Sequence, residues 1–356
     1  MCVILYADVK GKKIFAKNRD RAFGAKCNIY HEIIDGIEIV YLKDEGCGWI
    51  EGMNANGFGL INSTLNLKDS SIHRSKGTRK KLQSRRLKAL VQKKNKVYNA
   101  LKKKTKKNIK ILVNKNNKDS TVEGNTLIHT EDGVVKHLEN DVDNHYTFRN
   151  ITESTAVFTN HSKYLSELGY VSGAKGLSSY MRNKLSELQL KNEIKNANKC
   201  DNSTCLYNLL LDDVLNVYHS GIDVKDQPYR DKKQFFIEHP EFKRTTRVVR
   251  TTGQILMNFT DKEFLYKYDT KNSENNIPKY INKLPKNYVP KIRVIIEKTN
   301  KRITPRRESF TRKKLRNIEK KFMEKISKQD VENDRSNTVE LKVDKKYRKG
   351  LKTIIN

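Results

Sequence analysis

The chain opens on a run of short strands, and this constrains its fold more than any other feature. Four segments in the first 67 residues, CVILYADV from 2, KIFAKN from 13, IEIVYLK from 37 and GFGLINSTLNL from 57, are apolar or alternating and rich in Val, Ile, Leu and aromatics. Gly and Asp separate them. The pattern turns helical over 79–105, returns to strands in NTLIHTEDGVVKHLE and STAVFTN, turns helical again over 163–190 and 203–219, and ends in the hairpin TTRVVRTTGQILMNFTDKEFLYKY. Strands, helices, then more strands predict an α+β fold, a mixed sheet covered by helices.

The charge is strongly localised. Net charge is +32, yet 76–118 holds 18 Lys and Arg with no Asp or Glu, and 286–352 holds 23 basic against 9 acidic residues. Those two segments account for the whole excess, so the remainder is neutral. Eighteen cations without an anion, read as a basic helix pair, form a surface suited to nucleic acid or another polyanion. With Tyr98 its one aromatic, binding would be sequence-independent. From 268 the chain turns polar and carries Pro278, Pro285 and Pro290, which reads as a linker leading to a helix over 306–329. The expected division is a 1–267 domain and a basic, partly flexible 268–356 extension.

No stretch approaches the roughly 18 apolar residues of a membrane span, and MCVILYADVKGKK is charged too early for a signal peptide, so an intracellular, cytoplasmic location is expected. Five scattered cysteines argue against a disulfide framework. Cys200 and Cys205 lack the second ligand pair of a zinc site. No metal or cofactor is expected.

Cys2 stands directly behind Met1. Removal of the methionine would leave a thiol and a free α-amine on one residue, with solution pKa values of about 8.5 and about 8, so the amine is a competent base for the thiol. On position alone a structural cysteine at a strand start is the simpler reading. Lys17-Asn18-Arg19-Asp20 follows across an apparent hairpin, Asp20 eighteen residues after Cys2.

With these residues the sequence resembles the cysteine N-terminal-nucleophile hydrolases, the superfamily of bile salt hydrolase, penicillin V acylase and isopenicillin N-type acyltransferases, in which a basic-Asn-x-Asp motif follows the cysteine. Further segments match in order. Gly52-Met53-Asn54 resembles the turn leading to a strand with an oxyanion-hole asparagine, for which Asn62 and Asn66 both qualify. The hairpin at Glu131-Asp132-Gly133, followed by Glu139, is similar to the middle hairpin. Phe158-Thr159-Asn160-His161 and Ser178-Ser179-Tyr180-Met181-Arg182 resemble the segments that supply an asparagine and an arginine.

The resemblance covers about residues 2 to 266 and implies a four-layer αββα sandwich. It implies amide cleavage through an acyl-thioester on Cys2, by hydrolysis or by acyl transfer, with Asp20 orienting the amine and Lys17, Asn160 and Arg182 completing the site. Lys17 stands where the family has an arginine, and Arg19 is expected to compensate only if the strand twists. Cys47, in a Gly-Cys pair, lacks a following basic-Asn-x-Asp motif and is the lesser nucleophile. The competing reading is a non-enzymatic polyanion-binding or virion protein built on the same scaffold.

Overall fold

The computed structural model describes residues 2–21, 27–45, 49–65, 124–140, 146–161, 174–215, 217–218, 250–269, 277–299 and 306–307. In chain order the strands are β1 (Cys2–Val9), β2 (Lys12–Arg21), β3 (Cys27–Ile34), β4 (Ile37–Asp44), β5 (Ile50–Asn54), β6 (Gly59–Ser63), β7 (Gly124–His129), β8 (Val135–Asn140), β9 (Tyr146–Asn150) and β10 (Thr155–Phe158). After helices α1 (Ala174–Ala197) and α2 (Ser203–Asn208) come β11 (Val217–Tyr218), β12 (Arg250–Asn258), β13 (Glu263–Asp269), β14 (Lys279–Asn282), β15 (Arg293–Thr299) and β16 (Arg306–Arg307).

Two large sheets result, a six-stranded one ordered β10-β1-β2-β12-β13-β15 and an eight-stranded one ordered β14-β3-β4-β5-β6-β7-β8-β9, beside a two-stranded β11-β16 pair. Alternation assigns the faces. Ile4, Phe15, Ile255 and Tyr266 of the smaller sheet meet Val40, Met53, Ile61 and Leu127 of the larger in one inter-sheet core. The opposite parity, Val3, Leu5, Ile14 and Ala16, packs beneath Leu190, Ala197, Leu206 and Leu210 from the helical region. The outer face of the larger sheet carries a third buried cluster around Ile39, Leu60, Ile128 and Leu138.

Helix α1 presents Ser179, Arg182, Asn183, Ser186, Leu190 and Ala197 as buried residues at helical spacing, polar toward its N-terminus and apolar toward its C-terminus. Asn202 caps α2 by accepting from the Cys205 amide, and the helix continues as a π-turn over Leu209–Val214 rather than as the regular helix expected to 219. Cys200 and Cys205, with Cα atoms 5.5 Å apart across the start of this helix, pair as a disulfide, a single bond that the argument against a disulfide framework did not anticipate.

The expected linker from 268 is likewise corrected over 277–299. Strand β14 pairs parallel with β3, and β15 pairs parallel with β13, so this stretch borders both sheets. Glu38 anchors it, accepting from the main-chain amides of Lys291 and Ile292 and from the Tyr288 hydroxyl. The basic segment 76–118 and the helix expected over 306–329 lie outside the described residues, except that Arg306–Arg307 pairs with β11. Among the described residues no helix is long and apolar enough to cross a membrane.

Candidate active site around Cys2

The β1–β2 hairpin sets the geometry of the site. Lys10 and Gly11 at its tip both have positive φ, the backbone of a tight two-residue turn matched to strand twist. The register that follows places Cys2 opposite Arg19 and Ile4 opposite Lys17. Paired residues share a face, so Cys2, Lys17 and Arg19 all project between the sheets with Ile4. Lys17 and Arg19 are two residues apart and face the same way without any twist, which corrects that expectation.

Buried charge demands partners, and the larger sheet supplies them. Lys17 Nζ pairs with Glu51 on β5 and also donates to the Asn62 main-chain carbonyl at 2.5 Å. Arg19 pairs with Asp44 on β4 and lies 3.9 Å from Glu51. Glu51 and Asp44 were not foreseen as site residues. Each is an acidic residue at an inward position of an apolar strand, in step with Met53 and Leu42, and that pattern is the available signal. Burial pushes the Lys17 ammonium below the usual lysine range, Glu51 and the Cys2 thiol push it back up, and Arg19 lowers it further.

The main chain of Cys2 is gripped from both sides. Its amide donates to Asn160 Oδ1 at 2.9 Å, and its carbonyl accepts from Arg182 Nη1 at 3.0 Å and from Ser63 Oγ at 3.3 Å. Arg182 Nη2 donates to the same Asn160 Oδ1 at 2.9 Å, which closes a triangle. The Asn160 amide is oriented uniquely. Its Nδ2 donates to Ser63 Oγ at 3.1 Å and to the Thr64 carbonyl at 2.6 Å, whereas a flipped amide would set donors against donors. The Asn160 main-chain amide is held by Ser179 Oγ at 2.7 Å.

No family profile matches the chain, and no curated protein matches it in sequence. Its structure is similar to a mutant of conjugated bile acid hydrolase from Clostridium perfringens, at 14% identity and a TM-score of 0.47, over 75% of this chain and 89% of that one. It is also similar to penicillin V acylase from Agrobacterium tumefaciens, at 11% identity and a TM-score of 0.42, over 75% of this chain and 86% of that one.

The remaining expected residues divide. Asn62 turns its amide to Thr126 Oγ1 at 2.8 Å and offers the site its main-chain carbonyl. The Asp20 main chain pairs with Thr251 in β12, while its side chain lies outside the described residues, as do Asn66 and Cys47. His161 Nδ1 faces the Thr159 and Ser179 hydroxyls at 2.9 and 3.1 Å. Glu139 is buried on β8 in register with Asn125 and Thr147. The described residues contain no cluster of His, Cys, Asp or Glu suited to a metal ion. Chemically, the arrangement places Cys2 on the same inter-sheet face as the Lys17 ammonium, with its nitrogen already donating to a side-chain acceptor.

Proposed function

We propose that the chain is an N-terminal-nucleophile amide hydrolase or acyltransferase whose nucleophile is Cys2 after loss of Met1. The observation that carries the reading is the closed triangle of Cys2, Asn160 and Arg182, three residues widely separated in sequence. Once Met1 is gone, the α-amine inherits the place of the amide nitrogen, and Asn160 Oδ1 becomes its acceptor. The amine takes the Sγ proton, the thiolate attacks the carbonyl carbon of a small amide, and the resulting ammonium protonates the leaving nitrogen as the C–N bond breaks. Water or an acceptor amine then attacks the thioester and regenerates the thiol.

Lys17 favours the thiolate in this scheme. Asp20 assists the amine, as the family resemblance implies. Because both Asn160 Nδ2 hydrogens are engaged, the oxyanion donor falls to Asn62 or Asn66, the two candidates the family resemblance offers. The reading extends to the four-layer αββα arrangement, to polyanion binding by the basic segments 76–118 and 286–352, and to an intracellular location.

Intact-mass measurement of the purified chain before and after treatment with a β-lactone tests the proposal. The expected result is a mass lacking Met1 and one hydroxylamine-sensitive adduct on Cys2. Retention of Met1, or an unlabelled Cys2, overturns it.

A further inference from the structure

Strand β10 is an edge strand, and its ladder with β1 ends at Ile4 opposite Phe158. Continued by two residues, that register would set Asn160 opposite Cys2, but there Asn160 meets Cys2 through its side chain instead. Beyond the ladder, the carbonyls of this loop need other donors. The larger sheet provides them from across the sandwich.

Asn125 on β7 and Ser63 on β6 lie directly opposite each other. Asn125 Nδ2 donates to the carbonyls of Thr159 at 2.8 Å and His161 at 3.1 Å, the residues on either side of Asn160. Its Oδ1 meets His137 Nε2 at 3.0 Å, which fixes the end of the amide that faces the loop, and the His137 ring stacks on Phe158 with centroids 3.8 Å apart. Ser63 Oγ accepts from Asn160 Nδ2 and points its own proton between the Thr159 carbonyl at 2.9 Å and the Cys2 carbonyl at 3.3 Å. Ser63, Asn125, His137 and Thr159 are all fully buried, so no water substitutes for a lost contact.

We propose that Ser63 and Asn125 form a two-point clamp that sets Asn160 against Cys2, which makes them positioning residues for the Cys2 reaction. Neither touches the reacting atoms. The proposal rests on the function proposed above and adds to it the part of the larger sheet that holds the site together.

The test uses the full chain and compares wild type with Asn125→Leu, Ser63→Ala and Ser63→Thr. Three rates are read by peptide-resolved mass spectrometry: acylation of Cys2 by a β-lactone, alkylation of Cys2 by iodoacetamide, and hydrogen exchange of the Asn160 main-chain amide. Asn125→Leu and Ser63→Ala are expected to slow acylation by about 10- to 100-fold, to leave alkylation within about twofold, and to speed exchange about tenfold. Ser63→Thr, which keeps the hydroxyl, restores acylation. Asn125→Asp, which keeps the shape and removes the donated hydrogens, replaces the leucine variant if that one does not fold. Wild-type acylation and exchange in the variants overturn the clamp. A wild-type chain that is alkylated but never acylated at Cys2 overturns the enzymatic reading, while exchange still reports whether the clamp exists.

Discussion

Lys17 on β2 and Glu51 on β5 face each other across the sandwich interior as an ion pair that is almost completely shielded from water. Breaking such a pair leaves a buried charge without its counter-ion, whereas replacing both partners with apolar residues removes the problem. Lys17→Met is therefore expected to lower unfolding free energy by about 3–5 kcal/mol, and Lys17→Met/Glu51→Leu to recover most of it, as read from urea midpoints. The double variant should remain impaired in chemistry. Without the ammonium, the pH profile of Cys2 alkylation is expected to move about one unit toward alkaline pH.

The Asn160 amide uses both of its ends, so it distinguishes residues of the same size. Asn160→Asp keeps acceptors for Cys2 and Arg182 but sets a carboxylate oxygen against the Thr64 carbonyl. Arg182→Lys gives up the fork that reaches the Cys2 carbonyl and Asn160 Oδ1 together. Each is expected to cost about 1–3 kcal/mol of stability by chemical denaturation and to slow β-lactone acylation of Cys2 at least about tenfold.

The site was legible where a motif carried it and obscure where only tertiary pairing did. Cys2, Asn160 and Arg182 could be named from short ordered motifs, and the hairpin that brings the Lys17–Asp20 segment across from Cys2 from its two short apolar runs. Ser63 and Asn125 carry no such mark. Each is a small polar residue in a strand, and its role exists only because β6 and β7 stand in register beneath the Asn160 loop. Strands β14 and β15 escaped for a related reason. They are edge strands with mostly exposed or half-exposed side chains, so they lack the apolar alternation that announces a buried strand, and three prolines nearby read as a linker. Their parallel partners β3 and β13 are not sequence neighbours.

The lysine-rich segment 76–118 makes a prediction separable from catalysis. Duplex DNA is expected to bind at low salt with an affinity that falls steeply as salt rises. Substituting glutamine for Lys102, Lys103, Lys104, Lys106, Lys107 and Lys110 should flatten that salt dependence and leave Cys2 acylation unchanged. Fluorescence anisotropy across a salt series measures the first effect, and a flat wild-type response would remove the idea.

Glu38 concentrates the attachment of the 277–299 stretch on one carboxylate. Besides Lys291, Ile292 and Tyr288, it meets His31 Nε2 at 2.8 Å. Burial alone would raise its pKa, but these donors outweigh it and hold the group below the usual carboxylate range. A carboxylate depressed in the folded state stabilises the fold above its unfolded pKa, and that contribution is lost as pH falls through the lower folded value. Glu38→Ala is expected to cost about 3 kcal/mol at pH 7 because four donors lose their acceptor, and to expose 277–299 to limited proteolysis. Protection equal to wild type would show that the stretch is held by strand pairing alone.

His129 contributes pH dependence of a different kind, because it is buried neutral. Its ring stacks on Phe259 with centroids 4.1 Å apart, and Nδ1 donates to the Gly57 carbonyl at 2.6 Å. Burial pushes its pKa down to about 4, against a partial upward pull from that hydrogen bond. An unfolded chain, with an ordinary histidine pKa near 6.5, therefore binds a proton between pH 6.5 and 4 that the folded chain refuses, so stability falls on acidification through that window. The expected loss from this residue is about 2 kcal/mol between pH 7 and pH 5. Phenylalanine at 129 keeps the stack and removes the titration. His129→Phe loses the Gly57 hydrogen bond and so starts less stable at pH 7, but its unfolding free energy should change less between the two pH values than that of wild type. Equal slopes in paired urea titrations would mean that the acid sensitivity lies elsewhere.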